Sequence, residues 1–178
     1  LKARAVVRVA PTARGSGESI ENEPRMLPEG AALGMEQRRA LEQAIAATLT
    51  SGPLSGAQVQ DVRVEVVEIE LFGPGSTPEA LAAAAGKALR KALEAASPAT
   101  MQPIMRLEVV VPEPCLGTVL GDLQARRAVI QGTAAQSETA VITAEAALEP
   151  LLGYTTSLRS LTQGRGQFSM ELDRFDLW

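Results

Sequence analysis

The sequence predicts an α+β fold built as two small α/β-sandwich domains, and three observations carry that expectation. Short stretches of period-two alternation are interleaved with stretches of helical period. The Ser97-Pro98 break then separates two such runs. The 178-residue length suits two small domains, and the 46% hydrophobic and 21% charged composition is that of an ordinary globular chain.

In the first run, Ala5 to Val9 is a short apolar strand, and residues 11–35, rich in Gly, Pro, Glu and Ser, read as loop. From Glu36 to Thr50 a helical face carries Leu41, Ala44, Ile45, Thr48 and Leu49. Ser51-Gly52-Pro53 supplies its stop. Asp61 to Leu71 is a long strand whose apolar phase runs Val62, Val64, Val66 and then slips to Val67, Ile69, Leu71. Such a slip predicts a bulge or bend. Gly73-Pro74-Gly75 is a turn. Ser76 and Glu79 have capping-box spacing with Pro78 in the first helical turn. The helix that follows turns Leu81, Ala85, Ala88, Leu89 and Ala92 inward and leaves Lys87, Arg90, Lys91 and Glu94 wet.

The second run begins near Gln102. Met105, Leu107, Val109 and Val111 share one strand face opposite Arg106 and Glu108. Pro114 to Arg127 is a helix with Leu116, Val119, Leu120 and Leu123 inward. Ala128 to Gly132 and Thr139 to Leu148 are strands around a turn at Gln136 and Ser137. Pro150 to Leu161 is a helix loosened near Gly153, and Phe168, Met170 and Leu172 alternate in a last strand. The order β-α-β-β-α-β is the ferredoxin-like arrangement. The boundary falls near Ser97–Gln102, which gives domains 1–98 and 99–178.

Composition excludes several functions. A net charge of −4 leaves no overall surplus of cations to bind nucleic acid loosely, so any such contact must be local. The absence of histidine removes the commonest general base and zinc ligand. The single cysteine, Cys115, excludes an internal disulfide and lacks a histidine to activate it. Gly73-Pro74-Gly75 and Gly164-Arg165-Gly166 lack the GxxxxGK[ST] spacing of a phosphate loop and read as turns. Glu65, Glu68 and Glu70 read as the solvated face of a strand, with no acid–base pair among them. A metal- or thiol-dependent enzyme lacks the ligands and bases it would need. No apolar run reaches the roughly 20 residues that span a bilayer. The start at Leu1-Lys2-Ala3-Arg4, without Met, reads as the start of a fragment.

Three segments of the second domain carry a specific resemblance. Residues 102–113 (QPIMRLEVVVPE) are similar to the EPIM-x-x-EV-x-x-P-E entry strand of the last domain of elongation factor G. Residues 117–132 (GTVLGDLQARRAVIQG) are similar to G-x-V-x-x-DL-x-x-RRG-x-I-x-G, and residues 153–168 (GYTTSLRSLTQGRGQF) to GYATDLRSLTQGRGTF. Residues 49–62 (LTSGPLSGAQVQDV) resemble the ASGPLAGFPVVDV of the preceding domain more weakly. Two departures stand out. Ala128 occupies a glycine position of the family pattern. The stretch Phe72 to Ser76 is compact and free of histidine where translocases carry a longer, histidine-bearing finger. This second feature is similar to the mitochondrial ribosome-releasing paralogue of elongation factor G.

The resemblance implies domains IV and V of a translational GTPase, the first with an unusual crossover. The GTPase domain, with its GTP and magnesium, is absent from this chain. It implies the ribosome as partner, through ribosomal RNA and proteins of the GTPase-associated centre, together with ribosome recycling factor. No membrane is implied. The compartment is the mitochondrial matrix, with bacterial cytoplasm as the alternative. Splitting of post-termination ribosomes is the expected role, ahead of tRNA–mRNA translocation and of a stand-alone ribosome-binding module. Candidate contacts are Phe72, Gly73, Pro74, Gly75 and Ser76 at the tip, and Arg126, Arg127, Arg159 and Arg165 in the second domain. Arginine at a helix C-terminus is equally explained by the helix dipole, and the 153–168 segment is equally explained by packing.

Overall fold

The computed structural model describes residues 2–178 and shows two sheets with four α-helices. The chain divides into a first unit ending at Ala99 and a second from Thr100 to Trp178.

In the first unit, β4 (Val62–Leu71) is the strand to which all the others pair. Along one edge runs β1 (Ala3–Pro11), antiparallel to it. Along the other edge β2 (Glu18–Glu21) and β3 (Arg25–Leu27) lie end to end, both parallel to β4. Residues 11–35 are therefore not all loop, as their composition suggested. Both strands are too short to show a period, and β2 is exposed at all four positions, so no apolar signal marks it. The crossover from β3 to β4 is α1 (Met35–Thr50), and α2 (Pro78–Ala95) follows β4.

The phase slip in β4 is a bulge. Val6 faces Glu68 but Val7 faces Val66, which leaves Val67 as the extra residue. Val62, Val64, Val66 and Ile69 consequently all reach the core, while Val67 is half-buried. Leu41, Ile45 and Leu49 of α1 and Leu81, Ala85, Leu89 and Leu93 of α2 complete that core. The helices run parallel. Gln37 near the start of α1 reaches Ser76 just before α2, and Gly86 sits against Thr48, where a Cβ would come within 3.4 Å of the Thr48 hydroxyl. The α2 cap differs from expectation. Thr77 is the N-cap, its hydroxyl accepting from the Ala80 amide at 3.3 Å, whereas Ser76 is drawn into the preceding loop. Pro78 opens the helix as expected.

The second unit has the order β6-β7-β5-β8, all antiparallel, from β5 (Gln102–Pro112), β6 (Val129–Gln136), β7 (Thr139–Ala147) and β8 (Gln167–Asp176). The helices α3 (Leu116–Ala125) and α4 (Tyr154–Thr162) are each preceded by a 3-10 turn, at Glu113–Cys115 and Glu149–Leu151. The element order is ferredoxin-like. The core gathers Leu107, Val109, Val111, Val119, Leu123, Ile142, Tyr154 and Leu158. A second bulge, at Asp173, lets Leu172 face Met105 while Phe175 faces Pro103. No helix among the described residues is long and apolar enough to cross a membrane.

Candidate functional site

The loop that ends β4 is fixed from several sides. Gly73–Gly75 forms a 3-10 turn with Gly73 in the left-handed region, at φ 64. The Ser76 hydroxyl accepts from the Phe72 amide and donates to the Lys2 carbonyl, both at 2.7 Å. The Lys2 amide donates to the Gly75 carbonyl at 2.9 Å, and its ammonium stands 4.4 Å above the Phe72 ring. Gln37 Nε2 donates to the Ser76 carbonyl at 2.6 Å while Gln37 Oε1 accepts from the Gly34 amide at 2.9 Å. Ser76 is thereby buried, Phe72 and Gly75 are half-buried, and Gly73 and Pro74 form the exposed tip. The other end of β4 is closed separately, where the Thr12 amide meets the Asp61 carbonyl and the Gly17 amide meets the Asp61 carboxylate.

In the second unit Arg126 is a clasp between helices. Its Nε bonds Asp122 at 2.9 Å, Nη1 the Pro150 carbonyl at 2.7 Å and Nη2 the Ser157 hydroxyl at 2.6 Å. Its guanidinium also lies 5.2 Å from the centre of the Tyr154 ring. All its nitrogens are engaged inside the unit, the planar fork being what allows three directions at once. Tyr154 is itself buried and meets Phe168 edge-on at 5.0 Å. Its hydroxyl has no hydrogen-bond partner among the described residues. Burial, reinforced by the Asp122 charge and opposed by Arg126, pushes its pKa up to about 12.

Arg127, next to the clasp, is exposed and takes the left-handed conformation at φ 61. Ala128 does not need that conformation and is buried, so alanine is accommodated where the family pattern has glycine. The 160–168 segment is a helix ending. Gln163 and Gly164 are both left-handed, and the Gly164 amide returns to the Arg159 carbonyl at 2.8 Å. The fully buried Thr162 hydroxyl donates to the Leu158 carbonyl at 2.7 Å and accepts from the Gly166 amide at 2.8 Å. A Cβ on Gly166 would fall 2.8 Å from that hydroxyl. Much of this motif is explained by that closure. Arg159 and Arg165 remain exposed.

The four arginines are distributed along α4. Arg126 meets the first turns of α4, so Arg127 lies at the beginning of that helix and Arg165 beyond its end, with Arg159 between. Nine residues of α-helix separate the ends by about 13 Å.

Residues 1–97 match the family "Elongation factor G, domain IV" and residues 99–178 match "Elongation factor G C-terminus". The chain is 36% identical over 174 residues to elongation factor G 1 of Geobacter sulfurreducens, covering 96% of this chain and 24% of that protein. It is 36% identical over 177 residues to elongation factor G 2 of Desulfotalea psychrophila, covering 98% and 25%. It therefore spans about a quarter of the length of these curated relatives. A crystal structure of ttk003000868 from Thermus thermophilus superposes with a TM-score of 0.72 at 27% identity, over 98% of this chain and 28% of that one. The chain belongs to the elongation factor G family, as a domain IV followed by the elongation factor G C-terminus.

Proposed function

We propose that this chain is the ribosome-contacting C-terminal portion of a translational GTPase, and that its parent splits post-termination ribosomes together with ribosome recycling factor. In this reading GTP and magnesium belong to the parent's GTPase domain, and these two units transmit shape and force. The observation that carries the splitting role is the tip at Phe72–Ser76. It is short, contains no histidine and is held by Ser76, Lys2 and Gln37, so it presents a rigid blunt end. Contacts with ribosomal RNA are assigned to the groups left outward, which are Gly73 and Pro74 at the tip and Arg127, Arg159 and Arg165 in the second unit. Arginine's fork suits RNA phosphate. Arg126 and Ser76 serve instead to hold these surfaces in place.

Translocation is the second reading, supported by the likeness to two proteins named elongation factor G. The bacterial origin of those relatives favours bacterial cytoplasm over mitochondrial matrix as the compartment. The parent protein is to be supplied to post-termination ribosomes with recycling factor, and separately to pre-translocation ribosomes. Subunit release only in the first case supports splitting. Movement of tRNA without release would sink it in favour of translocation.

A further inference from the structure

We infer that the outward face of α2 is a phosphate-binding surface for double-stranded RNA, carried by Lys87, Arg90 and Lys91; this rests on the proposal that the parent binds ribosomes. No other five-residue window of the sequence holds three basic residues. All three are exposed, and none forms an ion pair or side-chain hydrogen bond among the described residues. Four of the six sheet arginines behave differently, while Arg25 and Arg63 are likewise exposed without such a bond among the described residues. Arg4 pairs with Glu70, Arg8 with Glu65, Arg106 with Glu171 and Asp173, and Arg174 with Glu145.

The fold does not require this cluster. The buried side of α2 is Leu81, Ala85, Leu89 and Leu93, and the three cations contribute nothing to it. Lys87 and Lys91 stand at i and i+4, a like-charge pair that weakens a helix. The acid nearest in sequence, Glu94, lies one turn beyond Arg90 and makes no bond to it. One turn before Lys87 stands exposed Ala83, so no bulky side chain shields the stripe on that side. Three cations within about 6 Å of helix axis form a local positive field on a chain whose net charge is −4. Such a field complements a polyanion, and α2 itself carries no aromatic or amide side chain, which fits backbone contact rather than base reading.

The test compares the 178-residue chain with K87Q/R90Q/K91Q, and with R4Q/R8Q as a control in which paired sheet arginines are removed. Affinity for an RNA duplex is measured across a salt series, and cosedimentation with ribosomal subunits in parallel. The slope of log affinity against log salt is expected to fall by about 3 in the helix variant, equally for duplexes of different sequence, and to stay unchanged in the control. An unchanged slope in the helix variant overturns the inference. So does cosedimentation with subunits but no duplex binding by the unaltered chain, which would point to an acidic ribosomal protein and leave the ribosome reading standing. Binding to neither RNA nor subunits overturns both.

Discussion

Replacing Arg126 by lysine separates a structural clasp from an RNA contact, because the charge is kept while the fork is lost. Lysine can keep the attraction to Asp122, but one ammonium cannot also reach the Pro150 carbonyl and the Ser157 hydroxyl, which lie in other directions. Hydrogen bonds from a charged donor contribute about 1.5–3 kcal/mol each. With two lost, and the side chain 19% exposed so that water recovers part of the loss, the net cost is about 3 kcal/mol. For a unit of this size that lowers the melting temperature by roughly 12–24 °C. The assay is intrinsic fluorescence, since the only tyrosine and only tryptophan, Tyr154 and Trp178, both belong to the second unit. A lysine variant melting within about 2 °C of the parent would refute the clasp and return Arg126 to the RNA-facing candidates.

Four further outcomes follow from the geometry. Tyr154 should titrate near pH 12 by tyrosinate absorbance. Its folded pKa lies above the unfolded value near 10, so the stability it contributes is complete below pH 10 and disappears as pH rises towards 12. The loss is roughly 2–3 kcal/mol, and a midpoint near 10 would contradict this. Tyr154→Phe removes a hydroxyl without a partner and should leave neutral-pH stability unchanged or slightly raised, while abolishing that alkaline loss. Gly52→Ala places a Cβ 2.5 Å from the Ala57 carbonyl oxygen and 2.7 Å from Val59 Cγ2. It should cost about 1–3 kcal/mol in urea denaturation followed by circular dichroism. Ser76→Ala strips partners from the Phe72 amide and the Lys2 carbonyl. A loss of about 1–3 kcal/mol and faster amide exchange at Phe72 are expected, and unaltered exchange would show that the hydroxyl does not hold the tip.

The two-layer α+β arrangement was legible because burial imposes a period. Leu41, Ile45 and Leu49 repeat helically, and Val62, Val64 and Val66 alternate, so even the bulge at Val67 left its mark as a change of phase. Where burial was absent, the sequence was silent. β2 contributes main-chain hydrogen bonds and no buried side chain, and main-chain bonding has no residue signature. The Ser76/Thr77 cap was misplaced by one residue because both hydroxyls suit the role, and only the incoming Lys2 carbonyl decides between them. In the candidate site, residue type could not distinguish Arg126 from Arg127. Their difference is that Arg126 ends the helix facing α4, while Arg127 turns left-handed into solvent. The 162–166 motif was legible as a likeness, but its physical basis, a threonine hydroxyl closing a helix, became evident only with three-dimensional proximity.

Because every strand of the first unit pairs with β4, the order of synthesis constrains how that sheet can arise. A nascent chain that has emerged only as far as residue 61 carries β1, β2, β3 and α1 with no strand to receive them. Helix α1 can form locally, but the buried strand residues of its core, Val62 to Ile69, have yet to arrive. Emergence of ten residues then gives both edges of the sheet their partner at once, and α2 follows to complete the core. Until that moment the segment upstream is exposed to chaperones and proteases.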